Sequence, residues 1–151
     1  MSDKLLEIKE YRDAGYSPVV DYASWRVAVL NYDEELLPAN INNMQRHDET
    51  DEVFVLLSGK CILFIGDGKD SAGNITAVDM LPEKIYNVKK GVWHNHSLSN
   101  DGKVLIVENV DTEDDVNSPY TDLNREQVNF IIKEGNKMLN ITAPWNQQDQ
   151  E

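Results

Sequence analysis

Only three histidines occur in the 151 residues, His47, His94 and His96. Each falls beside or within a stretch that reads as β-strand. The first lies in Gln45-Arg46-His47-Asp48-Glu49-Thr50-Asp51-Glu52, directly ahead of the apolar run Val53 to Leu57. The other two lie in Gly91-Val92-Trp93-His94-Asn95-His96. His47 ends one strand and Glu52 begins the next across a polar turn. Antiparallel neighbours lie about 4.8 Å apart, so both side chains can face one way. His94 sits on a distant strand that a barrel can bring opposite. Two imidazoles and one carboxylate suit Fe(II), Mn(II), Ni(II) or Zn(II), leaving positions open for water or a substrate.

Each residue also has a plainer reading. His47 and His94 can be buried histidines satisfied by hydrogen bonds. Asp48, Glu49 and Asp51 can be a solvated acidic turn that adds negative potential near the site. Glu52 is costly to bury unpaired, so a metal partner accounts for it well. Phe54 and Leu56 share its strand face and are expected to line the barrel. His96 shares the strand face of His94, and is read either as a pocket residue or as a solvent-facing neighbour. Trp93 points the other way, into core or an interface. Tyr86 is read as packing, with a pocket acid as the second reading. The single cysteine, Cys61, opens the apolar run Cys61 to Ile65 and is read as a small buried hydrophobe.

The elements that must hold these groups are short strands. Trp25 to Tyr32 is rich in β-branched and aromatic residues. Further strands are expected at Ile41 to His47, Glu52 to Leu57, Cys61 to Ile65, Ala77 to Leu81, Ile85 to Val88, Val92 to Leu98 and Val104 to Asn109. Ser58-Gly59, Gly66-Asp67-Gly68, Ser71-Ala72-Gly73-Asn74 and Asn100-Asp101-Gly102 supply the turns. Many short strands at close spacing indicate an all-β sandwich or barrel. Residues 1–24 read as an N-terminal arm, with a short helical or extended piece at Leu5 to Tyr11 and then Pro18-Val19-Val20. Residues 111–145 read as an extension. Asn124 and Gln127 there form a capping box for an amphipathic helix over about 124–140, interrupted by Gly135. Its stripe of Val128, Ile131, Ile132, Met138 and Leu139 is expected to pack on the barrel or to form a dimer contact. Residues 146–151 read as a disordered tail.

Lys and Arg number 14 against 27 Asp and Glu, a net charge of -13. Such a surface argues against nucleic acid and against anionic membranes. No apolar run approaches the roughly 20 residues of a membrane span. No leader pattern opens the sequence, and a cytoplasmic location is expected. Without a leader, the Asn-x-Ser/Thr matches at Asn74, Asn95 and Asn140 carry no expectation of glycosylation.

On these residues the sequence resembles the cupin superfamily, which carries two motifs. In the first, a leading Gly is followed by a His-x-His pair, a Glu and a Gly. His47 matches the second His, Glu52 the Glu after four intervening residues, and Gly59 the closing Gly after six more. Gln45 falls on the first His and Ala39 on the leading Gly. In the second motif, Gly91 and His94 match a Gly and the His. Glu83, Lys89 and Leu98 stand where the leading Gly, a Pro and an Asn are usual. The resemblance covers residues 25–110 and implies an all-β jelly-roll barrel, the double-stranded β-helix.

Cupins typically offer three His and one Glu to a metal, and the departure at Gln45 leaves three readings open. His47, Glu52 and His94 hold the metal with Gln45 weak or absent. His96 stands in for the missing imidazole. Or the site has lost its metal. The expectation is a small cupin that binds a divalent metal (Mn, Fe, Ni or Zn) and a small molecule, with its activity unassigned. The alternatives are a metal-free binding barrel, or a sugar isomerase, epimerase or dioxygenase in which Glu49 or His96 serves as base. The resemblance also implies a homodimer.

Overall fold

The structure, a computed structural model, describes residue 2 and residues 4–112 and 117–142. Ten strands and one α-helix form among them. The chain runs β1 (Gly15–Tyr22), β2 (Trp25–Asn31), β3 (Asn43–Gln45), β4 (Glu52–Ser58), β5 (Cys61–Gly66), β6 (Ile75–Asp79), β7 (Tyr86–Val88), β8 (Trp93–Leu98), β9 (Lys103–Asn109), β10 (Tyr120–Asp122) and α1 (Arg125–Leu139). Two short 3-10 turns, Glu34–Leu36 and Pro38–Asn40, bridge β2 and β3. All strand pairs are antiparallel, in two five-stranded sheets ordered β1-β2-β9-β4-β7 and β10-β3-β8-β5-β6. The described part is thus an all-β sandwich of jelly-roll type with one C-terminal helix.

Period-2 patterning sets what faces inward. In β9, Val104, Ile106 and Glu108 are buried and alternate with half-buried neighbours. In β4 the inward set is Glu52, Phe54 and Leu56. The space between the sheets is filled by Ala28, Leu30, Phe54, Leu56, Leu63, Leu98, Val104 and Ile106, among others. β5 is buried on both faces, which accounts for its unbroken apolar run. Cys61 and Leu63 join the inter-sheet core, while Ile62 and Phe64 join a second core under α1 with Met44, Trp93, Ile131 and Leu139. The helix stripe therefore packs on the barrel, and Trp93 is core. Gly135 sits where α1 meets Pro38 and Phe64. A Cβ there would lie 2.7 Å from Pro38 Cγ.

The capping box forms as the sequence implies, with Asn124 and Gln127 each bonding the other's backbone N–H. Gly59 turns β4 into β5 with φ +64, and a Cβ there would meet the Asp101–Gly102 backbone at 2.6 Å.

The N-terminal region differs from a simple arm. Residues 15–22 form β1, an edge strand on β2. Pro18 lies in it because an edge strand tolerates a residue without an N–H, and the register shifts between Pro18 and Val20. Leu5 to Tyr11 forms neither helix nor strand, apart from a turn at its start. β10 was not apparent from the sequence. It is three residues long and pairs only with the equally short β3. The strand expected over Ile41 to His47 is confined to Asn43–Gln45, and that over Ala77 to Leu81 is shifted to Ile75–Asp79. The tail at 146–151 lies outside the described residues.

Candidate metal centre

His47 lies just past the end of β3, Glu52 opens β4 and His94 sits in β8. The short turn between β3 and β4 carries the chain from one sheet to the other, so His47 and Glu52 meet across the barrel mouth. β3 pairs with β8 in the register Gln45↔His94, which sets His94 beside them. One ligand atom from each of His47, Glu52 and His94 lies within 4.8 Å of the others. All three are buried, at 5–6% exposure. The imidazole centroids of His47 and His94 are 5.3 Å apart. Glu52 Oε2 is 2.7 Å from His47 Nε2 and 2.9 Å from His94 Nε2.

The outer nitrogens of both rings are engaged as they are in metal-binding histidines. His94 Nδ1 is 3.0 Å from the Val92 carbonyl oxygen. A carbonyl can only accept, so Nδ1 carries the proton. His47 Nδ1 is 2.8 Å from Ser118 Oγ. A neutral His94 would then point an Nε2 lone pair at the Glu52 carboxylate, an arrangement that needs a cation between them, either a proton or a metal ion. The donor set therefore fits a divalent metal.

The titration behaviour follows from the same contacts. Burial alone would raise the Glu52 carboxyl, but the two imidazoles outweigh it and hold it well below the usual range. Burial alone would lower His94, yet the hydrogen bond and charge of Glu52, with the Val92 carbonyl, hold it above its ordinary value. His96 has no such partner. Burial pushes it down to about 4, so it is neutral at pH 7.

The triad opens onto a cavity of about 820 Å³. Gln45 lines it, and its amide Nε2 donates to the Ser118 carbonyl at 3.0 Å. His96 also lines the cavity but is not part of the three-residue group. Its ring lies 5.8 Å from that of Phe54, and its buried Nδ1 has no hydrogen-bond partner among the described residues. Glu49 is exposed in the β3–β4 turn and does not line the cavity. The acidic turn is organised instead around Asp51, pulled down to about 2 by the Lys90 backbone N–H, Asn87 and Lys89.

Glu108 was missed by sequence reasoning. It is 5% exposed, lines the cavity and comes within hydrogen-bonding reach of Glu52. Tyr16 of β1 donates to it. Burial and the Glu52 charge push its carboxyl up to about 7. Burial and the Glu108 contact raise Tyr16 in turn. The available signal was the alternation Val104, Ile106, Glu108, which puts a carboxylate on the inward face of an otherwise apolar strand. Ser118 likewise belongs to no motif; the chain brings it to His47 through the backbone pairing of Asn117 with Asp48.

The two-sheet jelly-roll sandwich gives the chain the cupin fold. No family model and no curated protein matches its sequence. Solved structures share its fold. Streptomyces PAC13, in a variant bound to uridine, is 10% identical with a TM-score of 0.51, over 78% of this chain and 87% of that one. A cupin-2 domain protein from Shewanella frigidimarina is 17% identical with a TM-score of 0.47, over 64% and 82%. KdgF from Halomonas is 11% identical with a TM-score of 0.47, over 67% and 86%.

Proposed function

We propose that the protein binds a divalent first-row metal through His47, Glu52 and His94, and a small molecule in the cavity those residues face. The carrying observation is the triad itself, three ligand atoms within 4.8 Å of one another on the wall of a cavity of about 820 Å³. Gln45 is the candidate fourth ligand: it stands opposite His94 in the sheet, and its amide nitrogen is committed to Ser118. A bound metal supplies Lewis acidity to an oxygen of the small molecule. Of the two residues considered as bases, only His96 lines the cavity.

The test is metal content by elemental mass spectrometry, on native protein and on a His47→Ala/His94→Ala variant whose fold is checked by circular dichroism. The expected result is one metal per native chain and none in the variant. No metal in either, after incubation with Mn, Fe, Ni and Zn salts, refutes the metal reading.

A second reading has an observation of its own. Both imidazole Nε2 atoms already meet Glu52 Oε2, so a protonated triad is satisfied without a metal. That reading is a metal-free binding barrel. The neutral nucleoside in the PAC13 structure belongs to a protein that shares only the fold, and serves here as one probe among several.

A further inference from the structure

The cavity wall has a one-sided charge pattern. Its charged side chains are Glu34 and Glu35, exposed on the 3-10 turn after β2, and the buried Glu52 and Glu108. Among the described residues no Lys or Arg lines it, although the chain carries 14. A nearby guanidinium, that of Arg26, is gripped by Asp21 at 2.8 and 3.1 Å and is not on the wall. Even with a divalent cation balancing Glu52 and Glu108, the two glutamates of the 3-10 turn leave the cavity negative. A phosphate or carboxylate entering it would lose water and meet no lysine or arginine on the wall, and the triad's imidazoles are already turned to Glu52.

The remaining polar wall is uncharged. Asn43 and Gln45 alternate on β3 with Met44, which packs into the helix-side core, so both face the cavity. Carboxamides both donate and accept, which matches hydroxyl groups and does not select a charge, although Gln45 already gives one N–H to Ser118. His96 adds the most specific signal. Its ring lines the wall, and its Nδ1, itself almost without accessible surface, has no hydrogen-bond partner among the described residues. An imidazole on the wall can hydrogen-bond a hydroxyl. A cationic ligand would meet only the two exposed glutamates, because Glu52 and Glu108 are already engaged by His47, His94 and Tyr16.

We propose that the cavity selects an uncharged, hydroxyl-rich small molecule, a polyol, sugar or nucleoside, with Asn43, Gln45 and His96 as its hydrogen-bonding wall and Glu34 and Glu35 as the barrier to anions. This rests on the small-molecule part of the function proposed above, and not on the metal.

The test is calorimetric titration of the full chain, with and without added Mn(II), against matched probes. These are myo-inositol, glucose and uridine as neutral ligands, glucose 6-phosphate and galacturonate as anions, and choline and spermidine as cations. The expected result is that a neutral probe binds at least ten-fold tighter than its anionic counterpart and than either cation. Replacing both exposed residues, Glu34→Lys and Glu35→Lys, narrows the gap to glucose 6-phosphate by ten-fold or more without altering the fold. His96→Ala weakens the neutral probe ten-fold or more and leaves metal content unchanged. An anion or a cation binding tightest, no probe binding at all, or a double Lys variant with the native preference overturns the proposal. Neutral binding in a chain that takes up no metal supports it while refuting the metal reading. One metal per chain with a preference for anions does the reverse.

Discussion

Removing the Glu52 carboxylate from metal-stripped protein should expose how the triad is held. Glu52 is 5% exposed, with Oε2 at 2.7 and 2.9 Å from the two imidazoles. Taking one partner from a buried ion pair costs about 3–5 kcal/mol, because the other charge is left uncompensated. The full cost applies only where both charges exist. The folded Glu52 carboxyl lies below its ordinary 4.5, so its contribution is present above that pH and lost as pH falls. The folded His94 lies above its ordinary 6.5, so its contribution is present below that pH and lost as pH rises through the folded value. The two overlap between about pH 5 and 6.5. Urea unfolding of native protein and Glu52→Ala in excess chelator at pH 6 should therefore differ by about 3 kcal/mol, and by less at pH 8. Added metal should reverse the trend, since it needs the neutral imidazole and its stabilisation grows with pH. A difference under about 1 kcal/mol at pH 6, the size of one ordinary hydrogen bond, would refute the charged triad. So would a difference that grows toward pH 8 in chelator.

Three further outcomes are expected. Gly135→Ala gains about 1 kcal/mol of helix propensity, but its Cβ would lie 2.7 and 2.8 Å from Pro38 and 3.3 Å from Phe64. Overpacking costs about 1–3 kcal/mol, so the variant should melt below native, and a higher Tm would overturn the close approach. Cys61 is fully buried and burial raises its thiol, so it should resist Ellman's reagent in native protein and react fully once unfolded; rapid reaction of folded protein would contradict its placement. Glu108 is raised to about 7, so in chelator its proton uptake on folding makes stability fall as pH rises from its ordinary 4.5. Glu108→Gln should remove that fall and gain on native protein between pH 5 and 8 in urea midpoints; parallel profiles would refute it.

Much of this was legible in the sequence because it rests on local pattern. The strands from β4 to β9 carry period-2 alternation or continuous apolar runs between turns, and each was recognisable, β6 with its bounds displaced by two residues. The helix was legible from its cap and its stripe. What escaped has little local signal. β10 is three residues long and is held by its partner β3 rather than by propensity. β1 contains a proline and has no buried residue, so its pattern resembles a loop. Glu49 could be weighed as a base only because sequence proximity to Glu52 says nothing of direction; in the structure the turn carries it out to solvent. Ser118 and Tyr16 reach the site through long-range pairing, which no spacing rule encodes.

The deeper regularity is that three strands make the same transition at the same level. Running toward one end of the barrel, β4 reads Leu56, Phe54, Glu52; β8 reads Leu98, His96, His94; β9 reads Val104, Ile106, Glu108. The registers Leu56↔Val104 and Phe54↔Ile106 hold the steps of β4 and β9 level. A slip of one residue would send the ionisable set to the outer face. The apolar end is therefore the anchor that fixes where the polar end falls. Phe54 is the hinge between them: fully buried, it lies 6.0 Å from the His94 ring and 5.8 Å from the His96 ring. Burying four ionisable groups together is unfavourable by itself. The chain sustains it by confining them to one end and filling the other with well-packed hydrocarbon, which is the division of labour expected of a barrel that keeps a site rather than only a core.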